Sequence, residues 1–263
     1  MTLIKIRNLT IKEKNGKTLV HNINLDIKQH KVNVLIGESG SGKTLTTKAI
    51  IQQLPDDVVA TYDTFSYHDQ PVEKVQHILG KEIGYISQDY THSFNDHTKL
   101  GKQLIRVYRH HYPEVSKVEA RQHVKRALSS VNLGDIDILN RYRFMLSGGQ
   151  LERVYIASVL MLEPKLIIAD EPTASLDVIN GHRLMRMIKQ LAEAHGSTLL
   201  MITHNLSHVA QFSDYINVIK QGEMYDQGTM AAFRAHPEQL TAYTKMLFAH
   251  RTRLTKEAQH DSV

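Results

Sequence analysis

Gly37-Glu38-Ser39-Gly40-Ser41-Gly42-Lys43-Thr44 runs from one glycine across four residues to a second, then to a lysine and a hydroxyl residue, which is the full pattern of a phosphate-binding loop. The short apolar run Val32 to Ile36 precedes it and reads as a strand. Thr44 to Gln53 follows with good helix formers. Glycines allow backbone N–H groups to turn inward around phosphates, Lys43 reaches the terminal phosphates, and the Thr44 hydroxyl suits magnesium. Strand, phosphate loop and helix together predict an α/β nucleotide-binding core.

Upstream, apolar residues alternate at Ile4 and Ile6, at Leu9 and Ile11, and at Ile23, Leu25 and Ile27, with turn chemistry at Asn15-Gly16. This opening predicts an antiparallel β-subregion. Downstream, Ile83 to Ser87 reads as a strand, and Tyr90 to Arg143 becomes polar and helix-like, with apolar positions at Leu104, Val107, Tyr108, Val124, Ala127, Leu128 and Val131. That stretch predicts an inserted helical subdomain. Strand-like runs return at Leu166 to Ala169, Thr198 to Thr203 and Tyr215 to Ile219 with a helix between the first two, so the main sheet is expected to be mostly parallel. A short strand between Gln221-Gly222 and Gln227-Gly228 and a helix from Phe233 to Leu254 complete the expectation.

Leu166-Ile167-Ile168-Ala169-Asp170-Glu171 is a buried strand ending in two carboxylates. Asp170 is placed for a magnesium shell; on an extended chain Glu171 points the other way, as a general base for water would. Gln88 closes the strand Ile83 to Ser87, where its amide reaches a metal or the attacking water. His204 follows the strand Thr198 to Thr203. In isolation, each of these residues also has a plain reading: a turn cap before Pro172, a polar strand end, and one histidine among 16. Leu146-Ser147-Gly148-Gly149-Gln150 pairs serine with glutamine three residues on, the spacing of a helix capping box. A helix start with exposed glycine N–H groups also binds an anion, so the chain carries two phosphate grips.

The composition of the 263 residues is that of an ordinary globular protein, with 41% hydrophobic and 22% charged residues. The net charge of +5 is spread along the chain and does not indicate nucleic-acid binding. The chain has no cysteine, which excludes disulfides and cysteine-ligated metals. No apolar run approaches a membrane span, and Met1 to Ile6 reads as an amphipathic strand rather than a signal peptide, which predicts a cytoplasmic protein. Among the histidines, His110-His111 and the pair His204 and His208 invite a metal reading. Adjacent histidines on a helix are expected to point apart, and His204 to sit at a strand end, so no direct metal site on these histidines is expected here.

Taken in order, GESGSGKT, Gln88, LSGGQ, LIIADE, Ser175-Leu176-Asp177 and His204 resemble the ATP-binding subunits of ABC transporters across nearly the whole chain. The resemblance implies a single ABC ATPase domain over residues 1–263: a nucleotide-binding core of 1–88 and 151–230, a helical subdomain of about 89–150 with the signature motif, and a helical tail of 231–263. It implies ATP and Mg2+ as cofactors, with Thr44, Gln88 and Asp170 on the metal, Glu171, His204 and Gln88 in catalysis, and Gly37 to Thr44, Asp170, Ser147 to Gln150 and Asp177 on nucleotide. It also implies a head-to-tail pairing, in which Ser147 and Gly149 of one subunit complete the site formed by Lys43, Thr44, Gln88, Asp170, Glu171 and His204 of the other.

Within that family, Gly37 to Ser41, the segment Ser87 to Asn95, and His236-Pro237 before Tyr243-Thr244 look like the peptide and nickel importer branch, closest to nickel-import subunits of Gram-positive bacteria. Many peptide-transporting relatives end in a cysteine-rich segment, which this chain lacks. The branch implies as partners a second, related ATPase subunit, two membrane permease subunits and a substrate-binding protein, and a peripheral place on the cytoplasmic face of the membrane. Permease docking is expected between Asp89 and Tyr112, including Phe94, Leu100 and Tyr108; packing of the subdomain is the plain alternative for these aromatics and explains Tyr108 better. The family usually stacks adenine on an aromatic upstream of the loop. Thr10 to Asn22 holds none, which leaves aliphatic residues such as Leu19 or Val20. The competing readings are a peptide importer ATPase and a soluble ABC ATPase acting on nucleic acid or ribosomes.

Overall fold

The computed structural model describes residues 1–174 and 176–249. Ser175 of the Ser175-Leu176-Asp177 motif and the end of the chain beyond Ala249, including the expected helix end at Leu254, lie outside them. The strands in chain order are β1 (Thr2–Glu13), β2 (Thr18–Lys28), β3 (Val32–Ile36), β4 (Val58–Thr61), β5 (Thr64–Tyr67), β6 (Gln70–Pro71), β7 (Ile83–Ile86), β8 (Leu166–Asp170), β9 (Thr198–Thr203), β10 (Tyr215–Lys220) and β11 (Glu223–Thr229). The helices are α1 (Lys43–Ile50), α2 (Leu100–His111), α3 (Lys117–Ser130), α4 (Gly148–Leu160), α5 (Val178–Ala194), α6 (Leu206–Phe212) and α7 (Met230–Ala235). The described residues form two compact units, one from Met1–His77 with 198–249, the other from Ile78–Ser197.

In the first unit, β1 and β2 form the expected antiparallel hairpin through Asn15-Gly16, where Gly16 takes a φ of 95°. A strand has a side-chain period of two, yet Ile4, Ile6, Leu9 and Ile11 are all buried, at even and then odd positions. An extra residue must absorb the phase change. The register of β1 on β2 shifts between Ile6 and Leu9, and Asn8 sits in that gap at a φ of 54°. This is a β-bulge built on a residue type that tolerates the left-handed region. The strands β4, β5 and β6 were not anticipated; β4 and β5 pair with β1, and β6 continues the sheet beyond β5. The tight turn joining β5 to β6 uses His68 and Asp69, both at positive φ, rather than the asparagine-glycine pair that marks such turns in a sequence.

The second sheet of this unit carries the phosphate loop. β3 lies between β10 and β9, parallel to both, and β11 returns antiparallel on β10. All residues of β3 and β9 are buried, the pattern of strands covered on both faces. The helix expected from Phe233 to Leu254 is instead broken. α7 ends at Ala235 and helical residues resume at 242–249, because Pro237 offers no N–H to the preceding turn and bars helical geometry at His236.

In the second unit, β7 and β8 pair in parallel, with Tyr85 opposite Ile168. The expected helical insertion is present. Leu100, Leu104 and Tyr108 of α2 and Ala120, Val124 and Leu128 of α3 are its buried faces. Phe94, Leu100 and Tyr108 are 8%, 0% and 5% exposed, so they pack this unit and present no docking surface, contrary to the expectation for Phe94 and Leu100. The apolar groups that do reach the surface of this unit include Phe144, Met145 and Val118. His110 and His111 do not point apart. Their rings meet edge to face with centroids 5.3 Å apart at the end of α2, where His111 packs over Gly80. Among the described residues, no helix is long and apolar enough to cross a membrane.

The turn between β10 and β11 tests how the first unit is built. Gly222 has a φ of 79°, and a Cβ there would lie 2.3 Å from the Leu19 carbonyl oxygen. We expect Gly222→Ala to lower stability by more than about 2 kcal/mol, since it combines left-handed strain with overpacking against backbone. Thermal melting of the purified chain measures this, and an unchanged melting temperature would contradict the packing described.

Candidate nucleotide site

The phosphate loop leaves β3 at Ile36 and enters α1 at Lys43. Gly37 must be glycine, because a Cβ would stand 2.0 Å from the carbonyl oxygen of Ile219 in the neighbouring strand β10. Gly40 and Gly42 adopt φ values of 77° and 102°, left-handed conformations that favour glycine and let such a loop curl. Glu38, Ser39 and Gly40 form the exposed crest between buried Gly37 and buried Ser41. Lys43 is itself buried and donates to the carbonyls of Gly37 at 2.8 Å and Glu38 at 2.9 Å, which hold its ammonium against the loop. Thr46 and Thr47 return their hydroxyls to the carbonyls of Gly42 at 2.9 Å and Thr44 at 3.0 Å. Thr44 is exposed at the start of α1.

Two contacts brace the loop from outside, and a third anchors one of the braces. The Gly222 N–H donates to Ser41 O at 3.0 Å, and Gly222 O accepts from the His21 N–H at 2.8 Å. The Glu38 N–H donates to the Tyr243 hydroxyl at 3.3 Å. Burial pushes that phenol's pKa above its ordinary value, and Lys220 lies 4.5 Å over its ring. Neither Gly222 nor Tyr243 stood out in the sequence as part of a site. The upstream aliphatics separate: Val20 is fully buried beneath Gly42, whereas Leu19 is half-buried, which leaves Leu19 the more accessible to a base.

His204 follows β9 directly. Ile36 pairs with Thr203, so Gly37 and His204 leave adjacent parallel strands at the same end of the sheet, where α/β folds place their ligands. His204 is exposed, and Asn205 starts α6 by accepting from the N–H groups of Ser207 and His208. His208, by contrast, is buried against Phe212.

In the second unit, β8 is buried throughout and delivers Asp170 at 3% exposure. Tyr85 faces Ile168, and Asp170 lies two residues further along the same face. The phenol spans that diagonal and donates to Asp170 Oδ2 at 2.8 Å. Glu171 departs from the expected extended geometry. The strand ends at Asp170, and Glu171 has a φ of 47°, a left-handed conformation that costs a non-glycine residue about 1 to 2 kcal/mol. The chain turns at Glu171 rather than alternating past it, and such strain gathers at working sites. Gln88 is exposed, two residues beyond the end of β7 at Ile86 rather than at the strand's last position. The strand stops early because the Ser87 N–H donates to the hydroxyl of Tyr155, 3.2 Å away, instead of to a neighbouring strand.

Ser147 to Gln150 form the capping box that their spacing predicted. Ser147 Oγ accepts from the Gln150 N–H at 3.3 Å, and Gln150 Oε1 accepts from the Ser147 N–H at 3.1 Å. Asp177 caps α5, accepting at 3.0 Å from the N–H groups of both Ile179 and Asn180. These bonds, led by that from the Asn180 N–H, hold its carboxyl below the usual carboxylate range. Glu152, just past the signature glycines, is only 5% exposed, and burial raises its pKa to about 7.

The ABC transporter family model matches residues 20–174, a span that holds the phosphate loop, Gln88, the signature helix and the Asp170-Glu171 pair. The chain belongs to the ABC transporter family. Along 98% of its length it is 52% identical to the Staphylococcus aureus (strain bovine RF122 / ET3-1) protein named nickel import system ATP-binding protein NikD, covering 99% of that relative, and the protein of the same name from strain USA300 matches equally well. Among solved structures, cbiO1 from Clostridium perfringens, part of the ABC transporter complex cbiONQ, superposes with a TM-score of 0.77 at 22% identity over 100% of this chain and 99% of that one. The dimeric structure of MJ0796, a bacterial ABC transporter cassette, gives 0.70 at 28% identity over 87% and 99%. These likenesses establish the ABC ATPase fold, an α/β P-loop core with an antiparallel β-subregion and helical insertion.

Glu152 gives this ABC ATPase fold a pH signature. Its folded pKa of about 7 exceeds the ordinary 4.5, so its contribution is most favourable below pH 4.5 and is lost as pH rises through 7. We expect Glu152→Gln to be more stable than the parent at pH 8.5 by about 1 to 2 kcal/mol, and level with it below about pH 4. Melting curves across that range decide the matter; a constant offset would remove the buried carboxylate as the cause.

Proposed function

We propose that this chain is the ATP-hydrolysing subunit of an ABC importer for nickel or a nickel chelate, acting from the cytoplasmic face of the membrane and paired with a second ATPase subunit. The observation that carries the cargo reading is the end-to-end similarity to proteins named for nickel import, 52% identity over 98% of the chain. Two membrane permease subunits and a substrate-binding protein complete the machine in this reading. Residues 1–88 and 151–230 act as the nucleotide-binding core and about 89–150 as the helical subdomain.

Each residue role follows from its chemistry. The backbone amides from Gly37 to Thr44 and the Lys43 ammonium hold the ATP phosphates, which their anion-facing geometry suits. The Thr44 hydroxyl, the Asp170 carboxylate and the Gln88 carbonyl offer hard oxygen donors, the set that magnesium takes. Magnesium supplies charge neutralisation of the phosphates when bound. Glu171 accepts the proton of the attacking water, and His204 steadies the terminal phosphate.

The signature glycines support pairing. A Cβ at Gly149 would meet nothing within 4 Å, and one at Gly148 only the Tyr90 hydroxyl at 3.9 Å, so packing among the described residues demands glycine at neither position. Glycine costs a helix about 1 kcal/mol relative to alanine. A close approach by a ligand held on another subunit accounts for two of them in succession.

Two experiments test the reading. Glu171→Gln retains the phosphate contacts and loses the base, so ATP turnover by the assembled transporter should fall at least about 100-fold while ATP and the closed dimer persist on gel filtration. Undiminished hydrolysis would remove Glu171 from the role. Cells lacking this subunit should lose uptake of radioactive nickel and retain that of short peptides, and the reverse result would reassign the cargo.

A further inference from the structure

A chain of tyrosines in the second unit links the magnesium carboxylate to the signature helix. Tyr85 donates from its phenol to Asp170 Oδ2 at 2.8 Å. Its own backbone carbonyl accepts from the hydroxyl of Tyr155, on α4, at 3.2 Å. The same Tyr155 hydroxyl accepts from the Ser87 N–H at 3.2 Å, so a single oxygen grips both backbone groups flanking the last strand residue before Gln88. The Tyr155 ring stacks on Tyr90, with centroids 6.3 Å apart and planes at 25°, and the Tyr90 hydroxyl donates to Gly148 O at 3.4 Å. The path from Asp170 to the first turn of α4 is thus continuous through Tyr85, Tyr155 and Tyr90.

We propose that Tyr85 and Tyr155 are positioning residues, which set the direction of the Asp170 carboxylate and the exit path of Gln88 together with the placement of the signature helix. The inference rests on the reading of Asp170 as a magnesium ligand. A buried carboxylate turns about two side-chain bonds, and the Tyr85 hydrogen bond restricts both. Tyr155 acts one step further back: it fixes the strand end that carries Tyr85 and lets the chain leave the sheet before Gln88. Because Tyr155 stands eight residues beyond Ser147 on the same helix, a shift of α4 moves this hydroxyl and, through it, the strand end. Packing alone would need the aromatic rings but not their hydroxyls.

The test uses the full chain and removes only hydroxyls. Equilibrium binding of a fluorescent ATP analogue is measured in EDTA and then at rising Mg2+ for the parent, Tyr85→Phe, Tyr155→Phe and the double variant, with a thermal melt of each. We expect EDTA binding to be unchanged and the Mg2+ concentration at half-effect to rise five- to tenfold in Tyr85→Phe and two- to fivefold in Tyr155→Phe. The double variant should exceed Tyr85→Phe by less than the product of the two single effects, because both act through one carboxylate. A Mg2+ midpoint within twofold of the parent in Tyr85→Phe, or effects that multiply, overturns the proposal, whatever the melting temperature of Tyr155→Phe. Loss of Mg2+ dependence in the parent itself would instead fail the metal reading of Asp170.

Discussion

The tightest constraint in the first unit is the contact between two backbones, the carbonyl of Ile219 against Gly37, where a Cβ would come within 2.0 Å. β10 can lie that close only because the loop begins with a glycine, and the loop can curl only because its neighbour is so near. From that approach the rest follows. The β10–β11 turn reaches the loop through Gly222, which bonds Ser41 on one side and His21 on the other. The loop is thereby held from behind by the main sheet and linked through Gly222 to the antiparallel sheet. Two side chains add to this: the Tyr243 hydroxyl accepts from the Glu38 N–H, and Lys43 bonds Gly37 O and Glu38 O, which ties the helix start to the strand end. Such preorganisation matters at a site that handles charge, since donors already aimed need no rearrangement as charge shifts.

The second unit solves a different problem, the holding of a buried carboxylate. Asp170 is almost fully enclosed, and an enclosed carboxylate is costly unless it is hydrogen-bonded. Tyr85 meets part of that need from the adjacent strand, on the same face of the pair. Immediately after Asp170 the sheet geometry is abandoned: Glu171 is held left-handed, and Pro172 denies the next position an N–H to continue any ladder. Neighbouring carboxylates thus come to differ sharply in setting, one fixed in the sheet and one on a strained turn. The proposed division of roles, metal binding by Asp170 and proton transfer by Glu171, rests on that difference.

Much of this was legible in the sequence. β3 and β9 appear with the expected limits, because a strand buried on both faces and bounded by turn residues leaves little doubt about where it stops. The capping box at Ser147 was readable for a similar reason, being a local pairing of fixed spacing. Features that depend on distant partners were not. The end of β7 at Ile86 is met by Tyr155, nearly seventy residues away, and glutamate as a residue type does not announce the left-handed φ at position 171. Phe94 and Leu100 are interior, which only the packing of the helical unit reveals. The β5–β6 hairpin has no marker in the sequence because its turn uses histidine and aspartate.

The signature motif shows how one helix start can serve two purposes. An α-helix leaves its first four N–H groups without partners inside the helix, and the Ser147 hydroxyl takes only that of Gln150. The N–H groups of Gly148 and Gly149 belong to the same first turn, and no side chain grows from either residue to cover them. Capping therefore stabilises α4 while the amides nearest its tip keep the partial positive charge that attracts an anion. Any larger residue at these positions would retain the cap but screen the tip. The same five residues hold the helix within the chain and leave its end open to a phosphate approaching from outside, which is the arrangement a site shared between two subunits requires.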